Sequence, residues 1–192
     1  MIARDEQRAM AVDHLAAHLL RSGLAQSSLR QLAAAVGVSD RMLLYYFDDK
    51  SDALAAAMER IASQLAVQLA VAVPEGTTMS AARLIAVATD LTTSEDLRRY
   101  MRLWIEVVAA AARREAPFVE IAQRIAAGFM QWIEGRLAPG ETSDPDSRRA
   151  LAAAVLAVID GVALLEVCAG AELTKSAARK LGGFLSERDP SA

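Results

Sequence analysis

The sequence predicts an all-α fold, and three observations carry that prediction. Alanine and leucine dominate a chain that is 54% hydrophobic but only 5% aromatic. Apolar residues recur three and four apart, while no clear run alternates at the period of two that a half-buried strand requires. Glycine and proline punctuate the pattern at Gly23, Gly37, Pro74 to Gly76, Pro117 and Pro139 to Gly140. With 192 residues, 23% of them charged, the chain is globular and long enough for one large or two small domains with a substantial core. The spacing predicts about nine helices.

Helix one is expected over 5–22, with Ala9, Val12, Ala16 and Leu19 on its packing face and Gly23 at its end. His14 and His18 lie on it at i and i+4, the spacing of a metal pair on one helix face. Leu15 occupies the position where zinc proteases carry glutamate, and no third ligand cluster accompanies the pair. They read as surface or packing histidines, and no metal or other cofactor is expected.

Residues 28–50, SLRQLAAAVGVSDRMLLYYFDDK, fit two short helices joined by a tight turn. Ser28 stands three before Gln31 and forms a capping box, after which Leu29, Leu32, Ala33 and Val36 recur on one face. Gly37 enters the left-handed region, and Val38 tucks back against the finished helix. Ser39 caps the next helix, in which Leu43 and Phe47 face inward while Asp40, Arg41, Leu44 and Tyr45 point mostly outward. Ala33 is small where the two helices cross. This is the pattern of a helix-turn-helix, although an ordinary helical hairpin inside a core has the same geometry.

More than geometry agrees. From Arg8 to Met58 the chain resembles the TetR family of transcriptional regulators without a gap. Gly23 and Leu24 match the step that ends the family's first helix, and Ser27, Ser28 and Leu29 its Thr/Ser-rich approach to the second. Leu32, Ala33 and Val36 to Ser39 match its turn, and Leu43, Tyr45, Phe47 and Lys50 fall where the family places its Leu-Tyr-Tyr-His-Phe group and the lysine beyond. Leu44 stands where the family often has Tyr, Tyr46 where it often has His, Asp40 where Lys or Arg is common, and Arg41 where a small residue is common. Those departures bear on the DNA sequence read and not on the fold.

The resemblance implies a three-helix, helix-turn-helix DNA-binding domain over 1–50 and a larger helical ligand-binding and dimerisation domain over 51–192. It also implies that the helix from Ser39 to about Phe47 enters the major groove of a double-stranded DNA operator. Arg41 then has the planar fork for a guanine edge, and Asp40 either accepts from a cytosine amino group or caps the helix, the cap being preferred. Met42 and Leu44 suit a thymine methyl, or equally a core position facing helix one. Tyr45, Tyr46, Ser28 and Lys50 can reach phosphate, with Tyr46 alternatively packed inward.

Net charge does not favour DNA. Residues 1–60 hold seven Lys/Arg against eight Asp/Glu, a net of −1 within a total of −3, where a DNA-binding domain is usually basic. Asp48, Asp49 and Asp52, however, crowd the start of helix four, where acids cap amides and complement the helix dipole.

Helix four is expected from about residue 49 to 73, with Leu54, Met58, Ile61, Leu65 and Leu69 along it. The family resemblance makes it the connection between the domains, tilted by ligand so that two recognition helices lose their spacing of roughly 34 Å. Helix five follows over 79–92, helix six opens at Ser94 and ends before Pro117, and helix seven runs over 117–137 with Ile121, Ile125, Phe129 and Ile133 on one stripe. Tyr100, Trp104, Phe118 and Phe129 either line an effector pocket, as the family implies, or form plain core. Glu106 and Asp160 are the acids expected to be partly buried. A cationic ligand suits them, and a salt bridge from Arg102 or Arg113 accounts for Glu106 as well.

The last two helices are expected over 146–170 and 174–186. The stretch 150–171 imitates a membrane span with only Asp160 and Glu166 charged, yet two acids on different faces favour a helix covered by protein, with a self-complementary partner as a natural cover. Val155, Ile159, Val162, Leu181 and Phe184 are the candidate dimer residues, in a four-helix interface. A single cysteine, Cys168, and an N-terminus without the apolar core of a signal peptide fit a cytoplasmic protein. No phosphate loop, nucleophile elbow or catalytic carboxylate pair is evident, so no enzyme is expected. The combined expectation is a cytoplasmic homodimeric TetR-like regulator, usually a repressor, released from a near-palindromic operator by a small-molecule effector. The alternatives are a helical ligand-binding dimer that has lost operator binding, and a small metal enzyme built on His14 and His18.

Overall fold

Short polar residues stand before most helices and define where each begins. Ser28 accepts the Gln31 N–H while the Gln31 side chain accepts the Ser28 N–H, the reciprocal capping box that the sequence predicts. Ser39, Ser80 and Asp144 each accept an N–H three residues on, as do Asp49 from Asp52 and Ser94 from Leu97. The computed structural model describes residues 4–142 and 144–186, with the side chains of residues 96 and 182–186 outside the description.

Among the described residues the chain forms nine α-helices and no β-strand. They are α1 (Arg4–Ser22), α2 (Leu29–Val36), α3 (Asp40–Tyr46), α4 (Lys50–Ala72), α5 (Ala81–Thr92), α6 (Glu95–Ala112), α7 (Phe118–Glu134), α8 (Pro145–Ala169) and α9 (Ala171–Ser186), with a 3-10 turn at Leu24–Gln26. By contact they group into two compact units. One comprises Met1–Leu69 with Arg102–Ile125, the other Ala70–Met101 with Ala126–Ala192.

In the first unit α1 buries Ala11, Leu15, Ala16 and Leu19. Ala9, expected on this face, is exposed, because at 100° per residue it lies about 120° round from Leu15 and near the free end of the helix. Leu32 and Ala33 of α2, Leu43 of α3 and Phe47 beyond it complete the small core, and α4 adds Leu54, Met58, Ile61 and Leu65.

In the second unit Ala81, Leu84 and Ile85 of α5 pack with Ile133 and Leu137 and with Ala152 and Val155 of α8. Helix seven ends three residues earlier than the spacing predicts, since the backbone after it is taken by Met79: Met79 N–H donates to Arg136 O and Ala138 N–H to Met79 O, both at 2.9 Å. The same pairing starts α5 at Ala81. Two arginines close this corner through carbonyls. Arg136 donates to Val73 O and Trp132 O with its guanidinium 4.1 Å over the Trp132 ring, and Arg148 donates to Glu134 O, Leu137 O and Ala138 O.

Helix eight is long and apolar enough to cross a membrane by length and composition, yet only 22% of its most apolar stretch is buried. Its inward stripe is Ala152, Val155, Val162 and Ala163, so Val155 and Val162, two of the candidate dimer residues, are buried within the chain. The exposed apolar residues are Leu164 (52%) and Val167 (60%) on α8 and Leu173 (58%) on α9. Ile159 and Leu181 are half-buried, and the Phe184 side chain lies outside the described residues. Glu166 pairs with Arg98 of α6 at 3.1 Å, a charged contact within the last turns of the span-like helix.

Candidate nucleic-acid interface

The geometry of α2 and α3 follows from a turn built around Gly37. At φ 81° it sits in the left-handed region, its N–H reaching Ala33 O and Ala34 O, and Val38 N–H also returns to Ala33 O. Ser39 then accepts Met42 N–H at 3.2 Å and begins α3. Asp40, preferred as the cap from the sequence, is instead the first helical residue. Its charge lies in the first turn, where it complements the helix dipole, while Ser39 supplies the capping bond.

A seven-residue helix is unstable alone, and α3 is held by burial and by α1. Leu43 and Phe47 are buried. Arg4 donates to Tyr45 O at 2.9 Å with its guanidinium 4.9 Å over the Tyr45 ring, and Arg8 donates to Tyr46 O at 3.1 Å while standing 4.9 Å over Phe47. Two cations thereby meet the carbonyl end of α3, where the helix dipole is negative. Sequence reasoning gave α1 a purely apolar role and missed both arginines. Their only sequence signal is the i, i+4 spacing of two cations on the first turns.

What remains outward on α3 is Asp40, Arg41, Met42 (43% exposed), Leu44 (45%) and Tyr45 (55%). Met42 and Leu44 are therefore not core residues facing α1. Tyr46 is half-buried with its hydroxyl donating to Gln7 Oε1 at 3.4 Å, the inward alternative. Ser28 and Lys50 are exposed at the starts of α2 and α4. Arg30, in the first turn of α2 beside Ser28, is exposed too and was not singled out from sequence.

The charge balance is resolved by position. Asp49 accepts Asp52 N–H, and Asp52 accepts Asp48 N–H and pairs with Arg8 at 3.4 Å. Asp13 pairs with Arg60 at 2.5 Å. Arg30 of α2, Arg41 of α3 and Lys50 at the start of α4, by contrast, join no ion pair among the described residues, so their charge is not offset by these acids.

Glu106 of α6 has a different partner from those expected. Its carboxylate accepts Leu24 N–H at 2.6 Å and lies against Gly23, where an added Cβ would come within 2.5 Å of Glu106 Oε1. Arg113 pairs with Glu115 at 2.5 Å, and each raises or lowers the other's pKa in the sense of an ion pair, the arginine up and the glutamate down. Gly23, at φ 68° and ψ −171°, occupies backbone space that is nearly exclusive to glycine.

Of the expected pocket residues, Tyr100 and Phe118 are buried, and Trp104 and Phe129 are half-buried, as is Asp160. His18 donates from Nε2 to Gln26 O at 2.8 Å, and His14 is exposed. No group of three or more His, Cys, Asp or Glu among the described residues is placed to hold a metal ion.

An all-helical fold among the described residues, with a capped helix-turn-helix whose second helix is exposed, fits the class of helix-turn-helix transcriptional regulators. Residues 80–184 match the sequence profile described as BetI-type transcriptional repressor, C-terminal, and the chain belongs to the TetR family of transcriptional regulators. Solved structures agree in fold. A transcriptional regulator from Rhodococcus sp. Rha1 aligns over 92% of this chain and 94% of its own, at a TM-score of 0.70 and 22% identity. The multidrug binding protein EbrR, complexed with proflavin, aligns over 91% and 99% at a TM-score of 0.61 and 24% identity. A Saccharomonospora viridis protein in complex with choline aligns over 96% and 97% at 0.64 and 18%. Among curated protein sequences none matches this one.

Proposed function

We propose that this TetR-family regulator is a cytoplasmic homodimeric repressor that binds a near-palindromic operator through α3 and leaves it when a small molecule binds the C-terminal helices. The observation that carries the reading is the solvent face of α3, where Arg41, Leu44 and Tyr45 are offered to solvent by a helix anchored through Leu43 and Phe47. In this reading Arg41 grips a guanine edge, Met42 and Leu44 contact thymine methyls, and Asp40 accepts from a cytosine amino group. Ser28, Arg30, Ser39, Tyr45 and Lys50 meet phosphate, and Tyr46 positions α3 through Gln7.

The dimer is assigned to the uncovered apolar residues of α8 and α9, Leu164, Val167 and Leu173, flanked by Ile159 and Leu181 and covered by their symmetry mates. Tyr100, Trp104, Phe118 and Phe129 are the effector-pocket residues of this proposal. Support for a small-molecule effector comes from the complexes of EbrR with proflavin and the S. viridis protein with choline. Both ligands are cations, for which the half-buried Glu106 and Asp160 are the acids to test. A ligand acts here only by preferring one conformer, and the Glu106 contact ties α6 to the α1–α2 junction whose orientation the operator reads.

The test is selection of bound fragments from the source genome by the purified protein, then anisotropy titration of the enriched sequence at two salt concentrations. An enriched inverted repeat with tight, salt-sensitive binding is expected. Arg41→Ala then costs about 1–3 kcal/mol on the operator and less on random DNA, while Lys50→Ala weakens both and lowers the salt slope by about one. No enrichment at either salt from a folded dimer would sink the proposal in favour of a ligand-binding dimer without an operator, the reading that the net charge of −1 over residues 1–60 favours.

A further inference from the structure

A groove between α5 and α9 has no part in the operator-and-effector reading, and its charge is unusual for the chain. It is partly open to solvent and offers about 490 Å³, within the size range of small-molecule sites. Its apolar surface is made of methyl groups, Ala82 and Ala86 one turn apart on α5 and Ala178 on α9, and these small side chains are what leave the space open. Its charged residues are Arg83 on α5, Lys175 and Arg179 one turn apart on α9, and Asp90. None of the three cations joins an ion pair among the described residues, and with Asp90 they leave the groove at net +2. Arg83 stands in the first turn of α5, which carries no acid there and is capped by the uncharged Ser80, so the positive end of the helix dipole reinforces it.

We infer that this groove binds a small organic anion, a compact apolar body bearing one phosphate, sulfonate or carboxylate group. The cations around one cavity repel one another, and a single anionic group attracts all three and lowers the net +2 of the groove. The guanidinium groups of Arg83 and Arg179 suit the planar, two-oxygen edge of such a group. The alanine methyls take the apolar body. Asp90 lies seven residues beyond Arg83 on α5, about 10 Å along the helix, and there it repels a second negative charge, so the ligand is anionic at one end only. The inference goes beyond the proposed function and does not rest on it, since it concerns a surface that neither α3 nor the aromatic residues of α6 and α7 line.

Calorimetric titration of the full chain with phenyl phosphate at low ionic strength tests it, with phenyltrimethylammonium as the oppositely charged control. Saturable binding of one phenyl phosphate per chain is expected, with none of the cation. Affinity falls at least tenfold in Arg83→Gln/Arg179→Gln, which removes charge, and at least tenfold in Ala86→Leu, which fills the groove with the charges intact. Ala82→Leu fills the same groove if Ala86→Leu does not fold, as judged by its thermal melt. The inference is overturned by absence of saturable binding, by retention of affinity in either kind of variant, or by equal binding of the cation. Its failure leaves operator binding untouched, so the two outcomes are separable.

Discussion

The α2–α3 and α8–α9 pairs both turn on a glycine of positive φ, Gly37 at 81° and Gly170 at 82°, yet they are specified by different kinds of information. The first pair is short, eight and seven residues, and almost every determinant lies inside 28–47: two serine caps, one left-handed glycine, and inward residues four apart. The second pair begins with a 25-residue helix that is apolar nearly all round. Its composition says that it must be covered but not which side is covered by its own chain. Local chemistry settles the first, and packing between distant segments settles the second.

Substitutions can break that contrast. Phe47→Ala removes the largest fully buried side chain anchoring α3 and should cost about 3–5 kcal/mol in urea denaturation, with operator binding lost in the fraction that unfolds. A loss under about 1 kcal/mol would mean that α1 alone holds α3. Gly23→Ala places a methyl 2.5 Å from Glu106 Oε1 at φ 68° and should cost about 1–3 kcal/mol from backbone strain alone. In Gly23→Ala/Glu106→Ala the clash is gone, so the double variant should lose less than the sum of the two single losses; strict additivity would show that the side chains do not meet.

For the second pair, Val167→Asp should leave the helical signal of the chain intact while weakening self-association at least tenfold in sedimentation velocity, about 1.4 kcal/mol. An unfolded variant would make that face part of the core. The smallest effect concerns the start of α8. Bonds from Ser147 to the Asp144 carboxylate hold its pKa below the usual aspartate value. A depressed folded pKa contributes stability above the unfolded value near 3.8, and that contribution is lost as pH falls through the folded value. Asp144→Ala should therefore flatten the acid limb of the stability curve, and an unchanged limb would show that the cap holds equally well when protonated.

The same contrast explains what the sequence made legible. Ser28 with Gln31, Gly37, Ser39, Leu43 and Phe47 were readable because each acts on a neighbour within four residues. The helix count and the order of helices were readable for the same reason, from caps and breakers. Ala9 was misplaced, and the burial of Val155 and Val162 within the chain was not foreseen, because periodicity alone does not tell which of several apolar faces another segment will meet. Arg4 and Arg8 on the end of α3, Arg136 on Val73 and Glu106 on Leu24 join residues 38 to 82 positions apart, a distance over which no sequence pattern operates.

The bond from Glu106 to Leu24, with Gly23 beside it, also limits how this protein can be recombined. Grafting a foreign reading head onto residues 51–192, the usual way to redirect a sensor to a new promoter, imports whatever residue the donor carries at the position of Gly23. A donor with any side chain there meets the carboxylate of a helix that was not exchanged. Chimaeras of this chain should therefore be assembled with α6 travelling alongside the head, or with donors chosen for glycine at that one position.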